Sequence, residues 1–190
     1  MATALRSFIA LPGSDELQMA LTSVVRRLAE TPSDVRWERD ASKFHITLRF
    51  LGDVEPDRLT ELGTALAGHV VEFGPLDLVY EGLGAFPSVE RPRVVWAGVR
   101  ANDALARLQA IVEQVCRRLE VGAPEERPFH PHITIGRVKG AHNLARLTAT
   151  LKSITLEPVS ARATHILLMR SELHPTGSRY TALKTLPLTS

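Results

Sequence analysis

Lys43-Phe44-His45-Ile46-Thr47-Leu48-Arg49-Phe50-Leu51-Gly52-Asp53 and Phe129-His130-Pro131-His132-Ile133-Thr134-Ile135-Gly136-Arg137 share the tripeptide His-Ile-Thr, with an offset of 87 residues from His45 to His132. In each stretch polar and apolar residues alternate with a period of two, the signature of a half-buried strand. Successive strand side chains point to opposite faces. His45 and Thr47 therefore share one face while Ile46 and Leu48 share the other, and the same parity separates His132 and Thr134 from Ile133 and Ile135. Each strand buries its isoleucine side and offers an imidazole and a hydroxyl about 6–7 Å apart to whatever lies opposite.

Working outward, each of these strands is followed by a helical pattern. Pro56 and Asp57 open one carrying Leu59, Leu62, Leu66 and Val70, and Leu144, Leu147 and Leu151 repeat that spacing. The helix stripe recurs at an offset of 85 residues, from Leu59 to Leu144 and from Leu66 to Leu151, close to the histidine offset. The chain reads as a diverged internal duplication. Strands are also predicted at Arg6 to Leu11, Val35 to Glu38, Leu76 to Leu83, Arg93 to Val99, Thr164 to Met169 and Tyr180 to Leu186. Gly52-Asp53 is expected to end the first histidine strand. Ser14 is the expected cap of a helix with Leu17, Leu21, Val24, Val25 and Leu28 on one side. Asn102 is the cap expected for a helix with the stripe Leu105, Leu108, Val112, Val115 and Leu119. Two such units are too few for a solenoid and match an α+β fold of two pseudo-symmetric lobes over residues 1–190, with a cleft between them.

Composition narrows the class of ligand. The 190 residues are 44% hydrophobic and 23% charged, which supports one globular core and excludes a disordered or fibrous chain. A formal charge of +2 and a pI near 9.0 suit a local phosphate contact better than a broad duplex-binding surface. Cys116 is the single cysteine, so neither an intrachain disulfide nor a thiolate cluster can form, and a reducing cytoplasm is expected. The opening MATALRSFIALPG lacks the length and flanks of a secretory signal, and no membrane association is expected.

Two imidazoles and two hydroxyls facing one another suit in-line displacement at phosphorus. One histidine takes a proton from the incoming oxygen, the other gives one to the leaving oxygen, and such general catalysis is worth roughly 10²- to 10⁴-fold per group. The threonines would hold the non-bridging oxygens. A cyclic diester is the apt substrate, because its strained ring reacts without a metal. A single His-x-Thr on a strand is most simply a structural feature; two copies in register with a repeated helix are what favour the chemical reading.

The two stretches quoted at the outset resemble the signature motifs of the two-histidine (2H) phosphoesterases, in the branch of RNA 2′,3′-cyclic phosphodiesterases also called 2′-5′ RNA ligases. Phe8-Ile9-Ala10-Leu11-Pro12 and Leu173-His174-Pro175-Thr176-Gly177-Ser178-Arg179-Tyr180 extend the likeness over nearly the whole chain. The resemblance implies a bilobal fold of two antiparallel sheets facing a central cleft, with helices outside. It implies hydrolysis of an RNA terminal 2′,3′-cyclic phosphate to a 2′-phosphate. From the residues themselves no metal or other cofactor is expected, and the protein is expected to be a monomer. By position, His45 is the proton donor to the leaving 3′ oxygen, His132 the acceptor that activates water, and Thr47, Thr134 and Arg137 bind phosphate. Strand parity alone puts Arg137 on the wrong face, so the assignment needs a bend or a bulge, which Gly136 permits.

Phe8, Arg49 and His130 are further candidates for substrate contact, Arg49 because it shares the parity of His45. For Phe8 a packed aromatic and for Arg49 a solvated strand-end charge is the competing reading, and His130, whose pairing with His132 lacks the further ligands of a metal site, reads as a loop residue near the cleft. Phe44, Phe129 and Trp37 could stack on a base but are more simply core, and Lys43, Lys139 and Arg179 could attract RNA or simply be solvated. His69, His142, His165 and His174 read as surface residues. Three rival functions stay open: ligation by the reverse reaction, another cyclic phosphate such as that of ADP-ribose, and a binding module without turnover.

Overall fold

The computed structural model describes residues 3–175 and 177–189, so Thr176 of the late motif and Met1 and Ala2 of the opening stretch lie outside the described residues. In chain order the elements are β1 Leu5–Pro12, α1 Asp15–Ala29, β2 Val35–Trp37, β3 His45–Val54, α2 Pro56–Val70, β4 Leu76–Pro87 and β5 Pro92–Val99. Then follow α3 Asp103–Arg118, β6 His132–Val138, α4 Leu144–Ser153, β7 Val159–Ala163, β8 His165–His174 and β9 Gly177–Pro187. Both predicted caps are made: the Ser14 side chain accepts from the Leu17 N–H and the Asn102 side chain from the Leu105 N–H. Each occupies one of the orphan donors of a helix's first turn.

All pairings are antiparallel, and the strands form one path, β7-β4-β5-β6-β3-β1-β8-β9, with β2 added beside β6. The two expected sheets are thus the two halves of a curled, continuous sheet. They meet at a single residue pair, Ile46 on β3 with Ile133 on β6. Beyond that pair the strands separate, and β2 takes the place of β3 along β6, pairing Val35, Arg36 and Trp37 with Val138, Arg137 and Gly136.

Helices cover the outer, apolar side of the sheet. The α2 and α3 helices pack on each other, α2 against β9 and α3 against β3, while α1 lies against β7 and α4. Because α1 follows β1 but packs on the far half, and α3 follows β5 but packs on the near one, the halves are tied by exchanged helices. The predicted stripes supply the core: Leu17, Leu21 and Leu28 of α1, Leu62, Leu66 and Val70 of α2, and Leu108 and Val112 of α3 are each wholly buried.

Several elements differ from the sequence reading: β8 runs on to His174 and β9 begins at Gly177, and further differences lie in β3, β4 and β7. β3 does not stop at Gly52-Asp53 but continues to Val54, because Gly52 takes a φ of 72° and Leu51 is looped out as a bulge between the pairs Phe8 with Phe50 and Ser7 with Gly52. β4 runs past its expected end at Leu83 and continues through Gly84 to Pro87. β7, Val159–Ala163, was not expected, since a five-residue edge strand carrying Ser and Arg offers little periodicity.

Candidate active site

The Ile46–Ile133 pair sets the geometry of the site. Both isoleucines are buried on the helix-covered side, so their neighbours His45, Thr47, His132 and Thr134 all emerge on the other, inner face. The antiparallel register sets His45 opposite Thr134 and Thr47 opposite His132. The two histidines lie on the diagonal of this four-group square, a placement about 7–8 Å across in a regular sheet. All four are partly exposed, unlike their apolar neighbours.

The duplication extends to the atoms. His45 Nδ1 is 2.6 Å from the Lys43 carbonyl and His132 Nδ1 is 2.7 Å from the His130 carbonyl, two residues back in each case. A carbonyl oxygen can only accept, so each Nδ1 carries the proton and donates it. Each Nε2 is thereby left as the nitrogen that can take or give a proton toward the inner face.

Aromatic rings support each imidazole. Phe8 stacks on His45 with centroids 5.0 Å apart, and Tyr180 meets His45 edge-on at 5.5 Å. Phe86 meets His132 edge-on at 4.9 Å, while Trp96 lies 6.4 Å from it and 5.1 Å from His130. This packing has an electrostatic result. Burial among the rings pushes the His45 pKa down to about 4, an effect reinforced by the charges of His132 and Arg137 and partly opposed by the Lys43 carbonyl. His132 is lowered too, first by burial and then by His130 and Arg137, against the His130 carbonyl.

Arg137 reaches the inner face by way of a bulge. On β6, Trp96 pairs with Thr134 but Val95 pairs with Gly136, so Ile135 is the extra residue and the parity shifts by one. Gly136 then faces the packed side, where a Cβ would come 2.6 Å from the Trp37 ring, and Arg137 turns out to solvent on the histidine side.

The same bulge in β3 corrects the reading of Arg49. Ala10 pairs with Thr47 and Ile9 with Arg49, leaving Leu48 looped out at the position that corresponds to Ile135. Arg49 therefore turns into the packed layer, is 3% exposed, ion-pairs with Glu113 of α3 and donates to the Ala123 carbonyl at 2.7 Å. Its guanidinium is thus committed to α3 and the Ala123 carbonyl, away from the inner face. Phe8, at 3% exposure, backs His45 instead of presenting a free face to substrate, whereas His130 is exposed beside His132. Phe44 is buried, and Lys43 is drawn to Glu38 and Asp40 at 3.9 and 3.5 Å.

Four residues of the site escaped the sequence reading: Phe50, Phe86, Trp96 and the supporting role of Tyr180. Phe50 follows the β3 bulge as Arg137 follows the β6 bulge, and it is 57% exposed with its ring 6.2 Å from Phe8. The duplication offset pointed to it. Trp96 had a signal in Gly84, whose missing Cβ is the space that the indole fills. Among the described residues no three His, Cys, Asp or Glu side chains are grouped to hold a metal ion, and no helix is long and apolar enough to cross a membrane.

A duplicated α+β fold with a pair of His-x-Thr strands on one inner face defines a 2H phosphoesterase. The pattern of the LigT like Phosphoesterase family matches residues 11–96 and 99–180, and the chain belongs to that family. It is 39% identical to the RNA 2′,3′-cyclic phosphodiesterase of Aeropyrum pernix over 142 residues, 74% of this chain and 79% of the relative. The protein of the same name from Methanothermobacter thermautotrophicus is 30% identical over 186 residues, 96% of this chain and 98% of the relative. Among solved structures, E. coli LigT complexed with 3′-AMP superposes with a TM-score of 0.77 at 27% identity, covering 98% of this chain and 99% of LigT.

Proposed function

We propose that this protein hydrolyses RNA 2′,3′-cyclic phosphate ends to 2′-phosphates, with His45 and His132 as acid and base and without a metal. The observation that carries this reading is the matched pair of Nδ1–H to carbonyl bonds, which leaves two Nε2 atoms for one inner face flanked by two threonine hydroxyls. The relatives named above support the substrate class. His132 Nε2 takes a proton from water as it attacks phosphorus, the bond to O3′ breaks in line with it, and His45 Nε2 gives O3′ its proton. Thr47, Thr134 and Arg137 neutralise the charge gathering on the non-bridging oxygens. Phe50 offers an open ring on which the terminal base stacks.

The direct test is an oligonucleotide ending in a 2′,3′-cyclic phosphate, incubated with and without EDTA, with the product terminus identified. Wild-type protein is expected to leave a 2′-phosphate in both cases. His45→Ala and His132→Ala should each lower kcat by at least about 10²-fold with KM little changed, and the double variant should be little worse than either single one. Near-wild-type hydrolysis by folded His132→Ala refutes the two-histidine mechanism.

A further inference from the structure

Arg36 and Arg137 are Cα partners across β2 and β6. Val35 and Trp37, on either side of Arg36, pack against the core, so the Arg36 side chain leaves on the opposite face, the one that carries the histidines. Both arginines are exposed, and among the described residues neither has a carboxylate within ion-pair distance. Like charges directly opposite on neighbouring strands repel. Two unneutralised guanidinium groups side by side on the inner face make a place for an anion.

The location of that place relates it to the substrate. Measured along the strands, Phe50 lies beyond the Thr47 end of the four-group square and the arginine pair lies beyond the Thr134 end. The Arg36 guanidinium also touches Gly177 at the start of β9, where a Cβ would collide with it, so the start of β9 lies beside this end of the face. Tyr180, three residues further on, already leans on His45. The anion site is thus bordered by β2, β6 and the start of β9.

A ribose with a phosphate across C2′ and C3′ has two other arms. C1′, next to C2′, bears the base; C4′, next to C3′, bears C5′ and the rest of the chain. With the phosphate held among the four groups, the base and the chain leave in opposite directions. We propose that Arg36, beside Arg137, forms a second phosphate subsite, which takes the internucleotide phosphate on the 5′ side of the terminal nucleotide. This rests on the cyclic-phosphate reading of the four-group site. The same polarity lays the base toward Phe50 and sets O3′ at the end where His45 stands, in keeping with His45 as the acid for the O3′ leaving group.

The test compares a nucleoside 2′,3′-cyclic monophosphate with a dinucleotide ending in the same cyclic phosphate, for wild-type protein and Arg36→Gln. The ratio of kcat/KM for dinucleotide over mononucleotide should fall about tenfold in Arg36→Gln and recover in part in Arg36→Lys. The slope of log KM against log salt for the dinucleotide should shrink by about one in Arg36→Gln. A dinucleotide with a neutral methylphosphonate linkage should lose the same factor with wild-type protein and lose nothing further with the variant, which keeps the test valid even if the variant were unstable. Equal ratios in wild type and variant, or full activity on the methylphosphonate, overturn the subsite. Failure of wild-type protein to cleave either substrate instead overturns the cyclic-phosphate reading beneath it.

Discussion

Arg49 and Arg137 show how much one residue's role depends on its place in a bulge. Each follows a His-x-Thr tripeptide, yet Arg49 falls on the position that matches Gly136, inside the packed layer, and Arg137 on the position that matches Phe50, in the open. Arg49 Nη1 is held by Glu113 and Nη2 by the Ala123 carbonyl, while Nε is buried with no partner among the described residues. Removing one member of such a pair strands the other charge. Arg49→Ala should therefore lower unfolding stability by about 3–5 kcal/mol in a urea titration. The kcat/KM of the protein that remains folded should change by less than about twofold, since Arg49 does not touch the inner face. A selective loss of substrate affinity with stability intact would return Arg49 to the site.

At the scale of elements, the two bulges are what turn repeated strands into an asymmetric site. Leu48 and Ile135 are looped out at matching positions, so both strands shift parity just beyond their threonines. What emerges next is an exposed phenylalanine on β3 and an exposed arginine on β6, giving one end of the face to stacking and the other to charge. Gly136 is the weak point of this device. A Cβ there would stand 2.6 Å from the Trp37 ring and 3.0 Å from Val35 Cγ1, so Gly136→Ala must push β2 away from β6. Overpacking of this kind costs about 1–3 kcal/mol. Because β2 carries Arg36 and Gly136 aims Arg137, KM for the cyclic phosphate should rise along with the loss in melting temperature. A variant equally destabilised elsewhere, Leu62→Ala on α2, should lose stability without the change in KM.

The whole molecule brings together two halves, each supplying one imidazole, and the pH dependence belongs to the pair. Burial lowers His45 to about 4 and places His132 below the ordinary value of 6.5 in the free protein. In the mechanism proposed above, the reactive form holds one proton between them, with His45 charged and His132 neutral. Raising the pH past the upper of the two coupled values empties the pair, and lowering it past the lower one fills both. The profile of kcat/KM, which reports the free enzyme, should therefore peak on the acid side of 6.5 and fall tenfold per pH unit well above it. Bound substrate adds a negative charge beside both rings and raises both values, so the upper limb of kcat should lie at higher pH than that of kcat/KM. A kcat/KM that rises to a plateau in the alkaline range would contradict the assignment of the acid to a histidine.

Much of this was determined by the sequence alone. The period-two alternation around His45 and His132, the helix stripes, the caps at Ser14 and Asn102 and the offset between repeats are all local patterns, and local patterns are what backbone geometry reads directly. They sufficed for an α+β fold in two halves and for which four side chains share a face. Other properties depended on pairings between distant segments. The inward turn of Arg49, the outward turn of Arg137 and the exposure of Phe50 follow from bulges that exist only once β3 lies on β1 and β6 on β5, since a bulge is a mismatch between two strands. The rings around the histidines come from β1, β4, β5 and β9, and the cross-strand partner of Arg137 from β2. Their convergence is a consequence of strand order and curl, which no single stretch of chain encodes by itself.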